Sequence, residues 1–118
     1  MSFLLQWLGL GRPAPQVGLR PHRTVVLAVA FDLAYDRVID AITSVLGANI
    51  YLADRSDRRI EAGFGLVNSE RLRCTFELDT SAQTAVHIEA LFPAGSAVPQ
   101  NSRNVDALAE FLTTTGAR

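Results

Sequence analysis

The second half of the chain alternates apolar and polar residues. Apolar residues occupy every second position from 60 to 66, from 72 to 78 and from 86 to 92. Successive side chains of a β-strand point to opposite faces of the sheet, so each run predicts a strand with one apolar and one charged face. Short polar turns separate the runs, which is typical of an antiparallel meander. Four strands are predicted in this region, at residues 49–54, 59–67, 71–79 and 83–92.

The sequence of the first half of the domain predicts one strand and one helix. Residues 23–31 are apolar and β-branched on both alternating sets, which indicates a strand in the interior of the sheet. Residues 33–46 then repeat apolar side chains at helical spacing. Asp32 is the expected N-cap of this helix, and Gly47 marks its end.

A second helix is predicted near the C-terminus. Apolar side chains from Val105 to Leu112 share one helical face, Asn101 or Ser102 is the expected cap, and the helix extends to about Thr114. The element order is then β-α-β-β-β-β-α, with the strands in the spatial order 2-3-4-5-1. Both helices are expected on the apolar face of this five-stranded antiparallel sheet, which makes the domain an α+β two-layer sandwich.

Residues 1–22 form a separate segment before this single domain, which covers residues 23–118. A short helix after Ser2 would place Phe3, Leu4, Trp7 and Leu8 on one side, and residues 12–22 form a linker with three prolines. Eight residues are too few to span a bilayer and too few for a stable isolated helix, so the segment is expected to dock on another surface. The candidates are its own domain, a second copy or another protein, and peripheral contact with a membrane. No basic cluster accompanies the apolar side, which favours a protein surface.

Composition and charge narrow the classes of function. The 118 residues are 48% hydrophobic and carry a formal net charge of −1, with 11 basic residues that are all arginine. A hydrophobic content this high excludes intrinsic disorder, and the near-neutral balance argues against nucleic-acid binding driven by phosphate contacts. The single cysteine, Cys74, can form neither an intramolecular disulfide nor a thiolate metal site by itself. The expected location is cytoplasmic, with membrane-peripheral contact as the alternative.

Catalytic, cofactor-binding and metal-binding motifs are not found in the sequence. His87 and Glu89 share the polar face of one strand, with Arg73 and Glu77 on the neighbouring strand. We interpret this set as a cross-strand row of ion pairs, with an acid/base pair as the alternative. Cys74 falls on the apolar face and is expected to be a buried thiol. No nucleophile, base and orienting group fall together, so an enzyme is expected less than a binding module.

Two places could receive an apolar partner. Gly63 and Gly65 leave a gap on the polar face of the third strand, beside Tyr51 and Phe64, where the N-terminal segment or a partner's segment could lie. The second place is a cavity between the sheet and the C-terminal helix, which would hold a small apolar ligand. Four phenylalanines are its expected lining: Phe64, Phe76, Phe92 and Phe111.

A family resemblance accompanies this pattern. Residues 31–38, followed by Asp54 and by the run Arg59-Ile60-Glu61-Ala62, resemble small bacterial domains of unknown function in which a strand and helix lead into an acidic turn and an Ile-Glu-Ala strand. The element order also resembles the TATA-binding-protein-like and START-like helix-grip folds, in which a curved sheet holds a C-terminal helix. The sequence predicts a non-enzymatic interaction module that self-associates or assembles through its N-terminal segment and sheet surface. The resemblance implies the alternative, a small apolar-ligand-binding domain of helix-grip type.

Overall fold

One antiparallel sheet and two helices make up the domain. The computed structural model describes residues 20–65, 68–80, 82–93, 95 and 98–116. The strands have the order β1-β5-β4-β3-β2, which is the predicted order read from the other edge. The predicted α+β fold class and topology are therefore confirmed. The elements in chain order are β1 (His22–Leu27), α1 (Phe31–Ser44), β2 (Asn49–Asp54), β3 (Arg59–Gly63), β4 (Arg71–Thr80), β5 (Gln83–Leu91) and α2 (Arg103–Gly116).

The core lies between one face of the sheet and both helices. Side chains from alternate strand positions, such as Leu72 and Ile88, are fully buried there, as are Val38 of α1 and Leu108 of α2. Each strand contributes every second residue to this layer, because the β pleat sends the others to the opposite face. The two-layer arrangement thus follows directly from the apolar alternation.

The first helix begins two residues earlier than the sequence predicts, at Phe31 with Ala30 as its N-cap. The prediction that Asp32 caps the helix is wrong: Asp32 lies within the first turn, and its carboxylate accepts a hydrogen bond from Arg55 at 3.1 Å. A negative charge in the first turn still suits the helix dipole. The helix ends at Ser44 rather than residue 46, and Gly47 follows with φ of +66°, as expected of a terminating glycine.

β1 and β3 each end four residues earlier than predicted because their partners end there, and β5 ends one residue earlier. β1 pairs with β5 as far as Leu27 and Thr84, and β5 itself begins only one residue before Thr84. At Gly63, β3 pairs with the first residue of both neighbouring strands, so no strand remains to bond beyond it. Gly65 then takes φ of +96°, which is outside the extended region.

The N-cap of α2 is Ser102, one of the two residues that the sequence offers for this position. Its Oγ accepts a hydrogen bond from the backbone N–H of Val105 at 3.2 Å. The Ser102 hydroxyl donates to the carboxylate of Glu70, which also accepts from the side-chain amide of Asn104 at 3.2 Å. This cap therefore ties the start of α2 to the loop before β4.

We expect Ser102→Ala to lower the free energy of unfolding by about 1–2 kcal/mol, because it removes the cap and one partner of Glu70. Urea denaturation followed by circular dichroism measures the loss. Ser44→Ala at the exposed end of α1 is the control and should change stability by no more than about 0.5 kcal/mol. Equal losses in the two variants would show that the Ser102 contacts do not anchor α2.

Candidate functional site

The candidate site lies on the face of the sheet opposite the two helices, which we call the open face. It carries the charged set of the alternating pattern, including Glu61, Arg73 and Glu89. Both helices pack on the other side, so in the described part of the chain no element covers this face. The open face is thus the largest sheet surface available to a partner.

A row of ion pairs crosses the open face. The register places Arg73 opposite Glu61 on β3 and opposite Glu89 on β5. The guanidinium of Arg73 lies 3.1 Å from Glu61 and 3.7 Å from Glu89, and Arg20 lies 3.0 Å from Glu89. Glu61 is the most enclosed of these carboxylates and also accepts a hydrogen bond from the Tyr51 hydroxyl at 3.1 Å. The predicted cross-strand pairing is therefore present, and such pairs contribute up to about 1 kcal/mol each.

His87 pairs with Glu77, which the sequence places on the neighbouring strand, and with Thr24, which the sequence did not indicate. Its Nδ1 lies 2.9 Å from the Thr24 hydroxyl, and its Nε2 lies 3.0 Å from Glu77. Glu89 belongs to the arginine row instead, so His87 and Glu89 do not converge. A hydroxyl, an imidazole and a carboxylate in a row can move a proton, but acyl transfer also needs donors for a developing oxyanion. The strand β5 is hydrogen-bonded to neighbours on both sides, so its backbone N–H groups are engaged in the sheet.

A groove of about 950 Å³ indents the open face where β3 ends and β4 begins. Small-molecule sites span roughly 300–1,000 Å³, so its size suits a small ligand or a short apolar segment. Its walls combine aromatic side chains with arginines. The lining consists of Arg20, Asn49, Tyr51, Glu61, Gly63, Phe64, Gly65, Asn68, Ser69, Arg71, Arg73, Leu91, Phe92 and Pro93.

The groove exists because Gly63 has no side chain in the middle of this surface. A Cβ built at Gly63 would meet only the Tyr51 ring, at 3.8 Å. The pairing of β2 with β3 shifts register between Ile50 and Leu52, and Tyr51 is the unpaired residue of this bulge. The structure thus places a groove at the gap that the sequence predicts beside Gly63, Gly65, Tyr51 and Phe64.

Arg71 gives the groove its electrostatic character. Its guanidinium carbon lies 5.5 Å from the centroid of the Tyr51 ring, within the range of a cation–π contact. Burial, followed by the hydrogen bond to Glu61, raises the pKa of Tyr51, so this hydroxyl stays protonated at neutral pH. Within the residues that the structure describes, Arg71 has no acidic partner within salt-bridge distance.

The four phenylalanines of the predicted cavity fall in two places. Phe64 and Phe92 line the groove and are also partly buried against the core. Phe76 lies in the core, with its ring centroid 5.5 Å from that of Phe31, and Phe111 packs against the core from α2. The groove therefore brings two of the four together, and on the open face rather than beneath α2. The N-terminal candidates Phe3, Leu4, Trp7 and Leu8 lie outside the described residues.

Sequence reasoning missed Arg71 as a groove residue. Its position on the charged alternation of β4 predicts the correct face, but the register decides that Gly63 and Leu91, rather than a carboxylate, lie opposite Arg71 on the two neighbouring strands. Within the described ranges, no three His, Cys, Asp or Glu side chains cluster as metal ligands. The helices described here are also too short or too polar to cross a membrane.

The fold and groove define a two-layer α+β domain with an open-faced sheet. No protein-family model matches the chain, and the curated proteins contain no match to it. The groove and the residues that line it are therefore the features that bear on function.

Proposed function

We propose that the chain is a non-enzymatic interaction module that self-associates through its N-terminal apolar segment. In this proposal Phe3, Leu4, Trp7 and Leu8 of one copy lie in the groove of a second copy. The observation that carries the proposal is a groove with aromatic walls on the sheet face that the helices leave uncovered. Four apolar side chains on one side of a short helix need such a surface, because an eight-residue helix is marginal alone in water.

The linker supports association with a second copy. Arg20, the first described residue, lines the groove, and eleven residues separate it from Leu8. Prolines at positions 13, 15 and 21 favour an extended linker, which at about 3.1 Å per residue carries the segment about 35 Å from Arg20. In this proposal the extended linker carries the segment past its own groove to that of a second copy.

The energetics favour a weak, concentration-dependent assembly. Full burial of a Leu or Phe side chain contributes about 1.5–3 kcal/mol. Association costs at least about 4 kcal/mol in lost translational and rotational freedom. The burial free energy of the four apolar side chains exceeds this cost only if most of them find apolar contact. The groove offers Phe64, Leu91, Phe92 and Pro93 for that contact.

Filling the groove should release the segment. Gly63→Val places a branched side chain in the groove at a strand position where the backbone accepts it, because a Cβ there meets only the Tyr51 ring. Trp7 is the sole tryptophan, so its fluorescence reports on the segment directly. We expect the wild-type emission to be that of a buried indole, and the Gly63→Val emission to shift towards that of an exposed one. Light scattering should show a parallel fall in mass.

Ala85→Val is the matched control, because Ala85 lies on the open face but does not line the groove. It should leave both the Trp7 emission and the mass unchanged. A full-length variant with Phe3, Leu4 and Leu8 changed to Ser should be monomeric. A wild-type protein that is already monomeric at every concentration would contradict self-association.

A further inference from the structure

The groove carries an excess of positive charge that its own carboxylate does not match. Three arginines and one glutamate line it. Arg20 and Arg73 are held in the ion-pair row with Glu61 and Glu89. Arg71 is the groove arginine without an acidic partner among the described residues, and it lies beside the Tyr51 ring. One guanidinium is thus available to a ligand at the groove surface.

The N-terminal segment cannot supply the missing negative charge. Its first nineteen residues contain no Asp or Glu, and the first acidic residue of the chain is Asp32. Asp32 lies in the first turn of α1, and its carboxylate is paired with the guanidinium of Arg55 at 3.1 Å. No described carboxylate lies within salt-bridge distance of Arg71 and the N-terminal segment carries none, so a ligand's carboxylate can pair with Arg71 without displacing an ion pair of the protein.

Guanidinium chemistry selects the class of this molecule. The planar fork of arginine matches a carboxylate with two parallel hydrogen bonds. A single available guanidinium balances one negative charge and leaves half of a phosphate dianion unmatched. Phe64, Leu91 and Phe92 line the same groove and offer contact to an apolar body.

We infer that the groove binds a small organic acid that has one carboxylate and an apolar, planar body. The carboxylate pairs with Arg71, and the body lies against Phe64 and Phe92. This site goes beyond self-association, because it uses a charge that the N-terminal segment cannot match. The two occupants share the aromatic wall, so the acid and the segment compete.

The test compares an acid with its uncharged analogue, 3-phenylpropionate with 3-phenyl-1-propanol. Each compound is titrated into the full-length, ¹⁵N-labelled protein while the amide resonances are followed. We expect shifts at the amides of Gly63, Gly65 and Arg71, and about five-fold tighter binding of the acid, the equivalent of one partly exposed ion pair. The preference for the acid should weaken as salt is added, because salt screens exposed charges.

Substitution of Arg71 separates charge from packing. Arg71→Gln should bind the acid and the alcohol equally, whereas Arg71→Lys should retain part of the preference because it keeps the charge without the fork. Arg103→Gln, on the exposed side of α2, is the charge-matched control and should retain the full preference. The amide spectrum of each variant verifies that it is folded.

Equal affinity of the wild-type protein for the two compounds would overturn the acid site, as would shifts confined to other surfaces. Titration of a full-length variant with Leu4, Trp7 and Leu8 changed to Ser removes competition from the segment. Absence of acid binding in both proteins would also overturn the inference. A monomeric protein that binds the acid through Arg71 would contradict self-association but not the acid site. The two proposals can therefore fail independently of each other.

Discussion

Replacing Ile88 with Ala is expected to lower the free energy of unfolding by about 3 kcal/mol, within the range of roughly 2–5 kcal/mol for such core truncations. Ile88 is fully buried on β5, and its register partners are Cys74 on β4 and Arg23 on β1. Truncation leaves a cavity between the sheet and the helices that tightly packed neighbours cannot close. Urea denaturation followed by circular dichroism measures the change.

Val26→Ala is the control for this substitution. Val26 lies on β1 with 55% of its surface exposed, on the open face. Its truncation should change stability by no more than about 0.5 kcal/mol, since it creates no cavity. Comparable losses from the two variants would contradict a core confined to one side of the sheet.

Alkaline pH should destabilise the protein through Cys74. Burial raises the pKa of the Cys74 thiol from its ordinary 9.0 to about 12. The unfolded chain releases this proton above pH 9, whereas the folded protein keeps it until about pH 12. The folded state therefore loses stability as pH rises between these values, by up to about 1.4 kcal/mol per pH unit. Below pH 9 both states hold the proton, and Cys74 adds no pH dependence.

The measurement is the difference in unfolding free energy between the wild-type protein and Cys74→Ala from pH 8 to pH 10.5. The wild-type protein should lose stability relative to the variant above pH 9. Burial also raises the pKa of Tyr35 and Tyr51, but those losses occur in both proteins and cancel in the difference. A difference that stays constant across this range would show that the thiol is not enclosed in the folded state.

The sheet could be predicted from the sequence because its pattern is local and repeated. Ile60, Leu72 and Ile88 mark their strands through alternation alone, and short turns decide which strands are neighbours. Helix caps were harder to predict. Ser102 caps α2 and also donates to Glu70, 32 residues away in sequence, because a hydroxyl can accept and donate at once. The carboxylate of Asp32 instead accepts from Arg55, 23 residues further along the chain. Partners that are distant in sequence therefore act on a helix terminus together with local preference.

The groove could be predicted in part. Because glycine has no side chain, Gly63 and Gly65 predict a gap from the sequence alone. Alternation with Ile50 also predicts Tyr51 on the open face, whereas the bulge at Tyr51 depends on a register shift between β2 and β3, which no local pattern predicts. The separation of Phe76 from Phe64 follows from the same geometry, because Phe76 lies on the apolar alternation of β4 while Phe64 follows the end of β3.

The central claim is that the open-face groove of one copy receives the N-terminal segment of another. An isotope-filtered nuclear Overhauser experiment on a mixture of ¹³C-labelled and unlabelled full-length protein tests it most directly. We predict intermolecular contacts between the Trp7 indole and the rings of Phe64 and Phe92. An indole that contacts only residues of its own copy, or none of the groove residues, would contradict the claim.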